Sequence, residues 1–108
     1  MSKKVKNNLF VYCMYDIKQY SKDQAEKLGV KIRPSHNPKK KIDVFDWNGQ
    51  FICSIGARGY GDFPTYIETR GYKYAENRRR LYRIRHHKER DNHNWEGSPS
   101  YYSWYILW

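Results

Sequence analysis

Alternation of apolar and polar positions is clearest at Ile42–Gly56, where two short runs flank Asn48–Gly49. An Asn-Gly pair supplies two residues tolerant of positive φ, the requirement of a two-residue type I′ hairpin turn. Pairing Trp47 with Gln50 and counting back places Ile42, Val44, Phe51, Cys53 and Ile55 on one face, interrupted only by Asp46. The other face, with Asp43, Phe45, Trp47, Ile52 and Ser54, is mixed. A two-stranded ribbon is marginal alone, so this hairpin requires a further strand or a helix to cover it. Leu9–Tyr15 (LFVYCMY), β-branched and aromatic, predicts that strand.

Helical signals surround the hairpin. Ser21 and Gln24 form a capping box, in which hydroxyl and amide satisfy reciprocal backbone donors, and predict a short helix to Leu28 closed by Gly29. Val30–Arg33 is extended ahead of Pro34, and Ser35–Lys41 (SHNPKKK) is a basic loop. After the glycine-rich Gly56–Asp62 (GARGYGD), Asp62 caps a helix over Phe63–Arg70 with Pro64 in its first turn, and Gly71 ends it. A long helix then covers 73–90 and breaks at Asp91–Pro99. In Ser98–Trp108 (SPSYYSWYILW), a Ser-Pro start and the spacing of Tyr101, Trp104, Tyr105 and Trp108 predict a helix. A strand with Tyr102, Trp104, Ile106 and Trp108 on one face is the competing reading. Together these elements predict an α+β fold: a small antiparallel sheet with a central β-hairpin (42–56), packed against the long basic helix (73–90) and an aromatic C-terminal segment. Residues 1–8 read as a basic arm and 9–108 as a single domain.

Composition changes the nature of the expected core. Leu, Ile, Val and Phe total 20 of 108 residues, which with a net charge of +10 would suggest disorder. Eleven Tyr and four Trp oppose that, since each aromatic buries roughly 150–250 Å². The core is therefore expected to be aromatic. No apolar run approaches the roughly 20 residues of a membrane span, and the polar, basic start carries no apolar signal core. Cys13 and Cys53 are too few for a disulfide framework and read as buried thiols in a reducing compartment.

Charge is uneven: residues 1–41 carry 11 basic and 3 acidic side chains, residues 42–72 carry 2 and 4, and residues 73–108 carry 8 and 4. Eight of the 21 Lys and Arg fall within 73–90. With Leu81 at 0° on a helical wheel, Ile84, Tyr74, Leu81, Tyr82 and Ala75 span about −60° to 120°, while Arg79, Arg83, Arg90 and His86 cluster at about 140–200° with Arg80 and His87 nearby. The arginine cluster is expected to face outward. Arg78 and Arg85 fall inside the apolar arc and are expected to pair with a carboxylate, Asp43, Asp46 or Glu68. The candidate polyanion-binding residues are thus Arg79, Arg80, Arg83, His86 and Arg90, with Arg58 projecting from the glycine-rich loop and Lys39, Lys40 and Lys41 from the basic loop.

Catalytic chemistry finds no support. Asp43 and Asp46 lie on opposite faces, and an Arg79, His86 and Tyr102 group is an expected coincidence in a chain this rich in Arg and Tyr. His86 and His87 diverge by about 100° on a helix, and His36 and His93 lie in loops, so no metal site is expected. No cofactor and no small-molecule substrate is implied. Gly56–Gly59 resembles the GxxG backbone clamp of KH domains only superficially, because it follows a strand.

Ser54–Tyr66, Tyr74–His86 and Gly97–Trp108 resemble a family of small basic proteins encoded by large nucleocytoplasmic DNA viruses. The likeness covers roughly residues 28–108. It implies a viral source and no catalytic residues. The resulting expectation is a non-enzymatic, virion-associated structural protein, of minor capsid or genome-packaging type, binding a polyanionic partner through helix 73–90. The alternative is a soluble nucleic-acid-binding protein contacting the phosphate backbone of DNA without strong sequence specificity. Viral capsid proteins or viral DNA or RNA are the expected partners, within the virion and the infected cell interior rather than in a secreted form.

Overall fold

A computed structural model describes residues 14–108. The basic arm, Cys13, and the predicted first strand apart from Met14 and Tyr15 lie outside the described residues; those two residues are irregular. The elements run α1 (Gln19–Leu28), β1 (Lys31–Pro34), β2 (Lys40–Phe45), β3 (Phe51–Ala57), α2 (Phe63–Arg70), α3 (Tyr72–Arg90) and α4 (Pro99–Ile106). The strands form one antiparallel sheet in the order β1-β2-β3. The fold is α+β, with the long basic helix and aromatic helix present as expected; of the two hairpin strands β2 is central in the sheet and β3 lies at an edge.

The hairpin keeps the expected strand register with a different turn. Ile42 pairs with Ile55 and Val44 with Cys53, as counted from the sequence. At the tip, however, Phe45 pairs with Phe51, and the Asp46 N–H reaches the Gln50 carbonyl at 2.8 Å. The loop therefore holds three residues, Trp47–Gly49, of which only Gly49 takes a positive φ, 89°. Asp46 organises it, its Oδ1 accepting from the Asn48 and Gln50 N–H groups at 2.9 Å each. Those two bonds favour the wider loop over a type I′ turn, and a bulge at Ile52 absorbs the extra residue. The bulge turns Phe51 onto the face of Phe45, ring centroids 5.8 Å apart, and leaves it 58 % exposed rather than in the core.

Helix α1 starts earlier than its capping box implies. Its N-cap is Lys18, without a side-chain hydrogen bond. Ser21 is fully buried and its hydroxyl donates to the Ile106 carbonyl at 2.7 Å, while Gln24 Nε2 donates to the Tyr105 carbonyl at 3.0 Å. Both supposed capping residues thus tie α1 to the end of α4. Gly29 closes the helix at φ 75° as its position suggests.

Around the glycine loop the expected chemistry is present. Asp62 caps α2, its Oδ1 accepting from the Thr65 N–H at 2.9 Å. Its other oxygen accepts from Lys41 Nζ and from the Tyr15 hydroxyl, both at 2.7 Å. Lys41 is therefore not a loop cation but a β2 residue, 4 % exposed and paired with a carboxylate that is itself 1 % exposed. A buried ammonium requires such a partner, because desolvation of an unpaired charge costs several kcal/mol, on the order of 3–5 when one partner is removed.

Helix α4 is apolar on most sides and packs against α1, β3 and α3. Its helical form is the expected one: Ser98 Oγ accepts from the Tyr101 N–H at 3.2 Å, with Pro99 at the first position. Tyr102, Trp104, Ile106, Leu107 and Trp108 are buried with Ile42, Val44, Ile55, Phe63 and Tyr82 in one core, which is strongly aromatic as composition suggests.

On the polar face of the sheet, buried Asp43 accepts from Ser54 Oγ at 2.6 Å. Burial acts to raise its pKa, but hydrogen bonds from Ser35, Ser54 and the His36 N–H outweigh it and hold the carboxyl below its usual value. Its contribution to stability is then complete above the unfolded value of about 4 and is lost as the pH falls through the depressed folded value. Urea denaturation between about pH 6 and about pH 2 should show stability falling over that acid window, and Asp43→Asn should flatten the fall. An identical acid profile in the variant would place the sensitivity elsewhere.

Candidate functional site

Helix α3 carries the basic stripe, and its orientation decides which cations are available. Its buried residues are Ala75 and Tyr82, two turns apart. On the wheel these centre the contact face roughly 80° from the middle of the apolar arc read from sequence, toward the arginines. Ile84, expected to be buried, is 58 % exposed, and Arg85, expected to be internal, is exposed as well. The small Ala75 lets α3 lie close against its neighbours, and Tyr82 stacks on Trp108 at 4.6 Å with 9° between the rings.

Arg79 and Arg83, expected to point outward, take part in the fold. The Arg79 guanidinium lies 3.9 Å from the centroid of buried Phe63 and bonds Glu76 at 2.7 Å. Arg83 Nη2 donates to the Trp108 carbonyl at 3.3 Å, its head sits 5.3 Å from the Trp104 ring, and its Nε is buried without a hydrogen-bond partner. Burial, and then the neighbouring charge of Arg79, hold the Arg83 pKa below its ordinary value. Arg78 is half-buried over Tyr66, 5.5 Å from the ring, rather than paired with a carboxylate. The proposed carboxylate partners are engaged elsewhere: Asp43 with Ser54, Asp46 with the hairpin tip, and Glu68 with Lys18 at 2.8 Å.

What remains is a groove of 910 Å³ beside α3, with Trp104 of α4 contributing to its wall. Arg79, Arg80, Arg83 and Arg90 line it together with His87 and Ile84. Arg80 and Arg90 are exposed; Arg80 Nη2 bonds Asn77 Oδ1 at 2.9 Å, and the Arg90 head lies 5.6 Å from the Trp104 ring. Glu76 is the one carboxylate in the lining, and it already accepts from the Tyr72 hydroxyl and from Arg79. The Tyr72 hydrogen bond, followed by the charge of Arg79 and then that of Arg83, holds its carboxyl below the usual range, so this one carboxylate is shared by Arg79 and Arg83.

The other expected binding residues lie elsewhere. His86 is half-buried, stacked on Tyr82 at 4.2 Å with Nδ1 3.0 Å from Glu89 Oε1, and does not line the groove. Lys39 is exposed in the 35–39 loop, Lys40 begins β2, and Arg58 is half-buried with its N–H on the Lys39 carbonyl at 3.0 Å. Trp104 and His87 complete the groove and were not among the residues singled out for binding. The i, i+7 pairing of Ala75 with Tyr82 was the signal that could have located it. Cys53 is a half-buried thiol that burial, with Asp43 nearby, pushes up to about 11.

No family model matches the chain, and no match was found among curated proteins or solved structures. Among the described residues no helix is long and apolar enough to cross a membrane, and no group of three or more His, Cys, Asp or Glu is placed to hold a metal ion.

The division of arginines predicts a split in stability. Arg79→Ala should lower unfolding free energy by about 1–2 kcal/mol, because it removes a desolvated cation–π contact and a hydrogen-bonded ion pair. Arg80→Ala and Arg90→Ala should stay within about 0.5 kcal/mol. Urea midpoints measure all three, and equal losses would contradict the division.

Proposed function

We propose that this is a non-enzymatic binding module that holds a nucleic-acid phosphate backbone in the groove beside α3. The observation that carries this reading is the crowding of Arg79, Arg80, Arg83 and Arg90 around one groove whose single carboxylate is already engaged. Like charges held this close destabilise one another, and a polyanion lying between them relieves that repulsion. The open groove suits a continuous backbone better than a small solute, and guanidinium groups match phosphate geometry with two parallel donors. Trp104 gives the wall an apolar surface but is only 5 % exposed, so base stacking on it is not part of the reading. Contacts confined to phosphates position a nucleic acid without reading its sequence. The resemblance to small basic proteins of large nucleocytoplasmic DNA viruses supports a setting in genome packaging or virion assembly.

Fluorescence anisotropy with duplex DNA from about 50 to about 200 mM salt tests it. Affinity should fall linearly on logarithmic axes, and Arg80→Gln/Arg90→Gln should reduce the slope by about 2, one unit per lost phosphate contact. An unchanged slope in the double variant would remove the groove from the binding surface.

A further inference from the structure

A second recess, of 320 Å³, lies where the glycine-rich loop meets the opposite flank of α3. Gly56, Gly61 and Tyr60 form one wall, Tyr82, Arg85 and His86 the other. The loop's approach depends on glycine. At Gly56, φ is +79° and an added Cβ would sit 2.7 Å from Leu107 Cδ1. At Gly61 it would fall 2.1 Å from Tyr66 Cζ.

Lys41, Arg85 and His86 reach the lining of the recess and no Asp or Glu side chain does, and among the described residues Arg85 is the cation of the three without a carboxylate partner. Lys41 is neutralised from behind by Asp62, at 2.7 Å. Arg85 is exposed and makes no hydrogen bond or ion pair among the described residues. His86 has Nδ1 against Glu89, which leaves Nε2 for a ligand. Ser103, also in the lining, lies with its Oγ 3.3 Å from the Tyr82 hydroxyl oxygen and adds a further polar group.

Size separates this recess from the groove. Small-ligand sites begin at about 300 Å³, so a volume of 320 Å³ suits a single phosphorylated unit and not a continuous strand. We propose that it holds the phosphomonoester of a nucleotide, with the phosphate on Arg85, His86 and Ser103 and the base against Tyr60. Tyr60 is 76 % exposed and presents a ring for stacking. The proposal does not rest on the groove: the two sites use different faces of α3 and different residues.

Two-dimensional amide NMR tests it on the whole chain, with inorganic phosphate, adenosine 5′-monophosphate and adenosine as probes. Both phosphates should give saturable shifts at the Gly56 and Gly61 amides, and adenosine should give none. Arg85→Gln, at an exposed position, should weaken nucleotide binding by about tenfold or more, the loss expected for one charge-assisted hydrogen bond. Arg80→Gln/Arg90→Gln should leave it unchanged, which separates this site from the groove. Absent or non-saturable shifts, equal shifts with adenosine, or full retention in Arg85→Gln would each overturn the proposal. Comparing oligonucleotides with 5′-phosphate and 5′-hydroxyl ends then identifies the source. A preference for the phosphorylated end abolished by Arg85→Gln assigns a strand terminus, and equal binding alongside saturable nucleotide binding assigns a free nucleotide.

Discussion

The last turn of a helix leaves carbonyls without intrahelical donors, and burying them unpaired costs about 1–3 kcal/mol each. Helix α4 ends inside the protein, so that constraint falls on its final carbonyls, among them Tyr105, Ile106 and Leu107, and the buried Trp108 just beyond adds another. Gln24 and Ser21 of α1 donate to Tyr105 and Ile106, the Phe63 N–H at the start of α2 donates to Leu107 at 2.9 Å, and Arg83 of α3 donates to Trp108. Three helices are thus fixed to one helix end by polar contacts. The aromatic side chains of the same segment fill the core between them.

Much of the chain's positive charge is likewise committed to the fold. Lys41 is committed to Asp62, which also caps α2 and accepts from Tyr15. Arg79 lies over Phe63, and Arg83 serves both Trp104 and the Trp108 carbonyl. The cations left exposed on α3 include Arg80 and Arg90 on one flank and Arg85 on the other. They fall into two regions of different shape, an open groove and a small recess, rather than one continuous stripe.

Much of the fold was legible because its signals are local. Asp62 and Ser98 cap their helices as their positions suggest, and α3 begins one residue before its expected start. The hairpin register survived a different turn because a bulge at Ile52 restored the count from Cys53 onward, while Phe51 left the expected face. Ser21 and Gln24 misled because a capping box and a pair of long-range donors use the same residue types. The facing of α3 was hidden for a different reason. Arginine stems and planar heads pack on aromatic rings, so in an arginine-rich helix the most apolar arc need not be the buried one. Ala75 outweighed Ile84 because close approach to neighbouring helices rewards a small side chain.

If the end of α4 is the point on which the other helices converge, that end cannot fray independently of the rest. Native-state hydrogen exchange measures this directly at the Phe63 N–H, bonded to Leu107, and at the Leu107 N–H, bonded to Ser103. Both should exchange only through global unfolding, with a denaturant dependence equal to that of the whole protein. Exchange at the rate of the exposed Asn92–Asn94 turn, insensitive to denaturant, would show that α4 opens independently and that the fold does not depend on it.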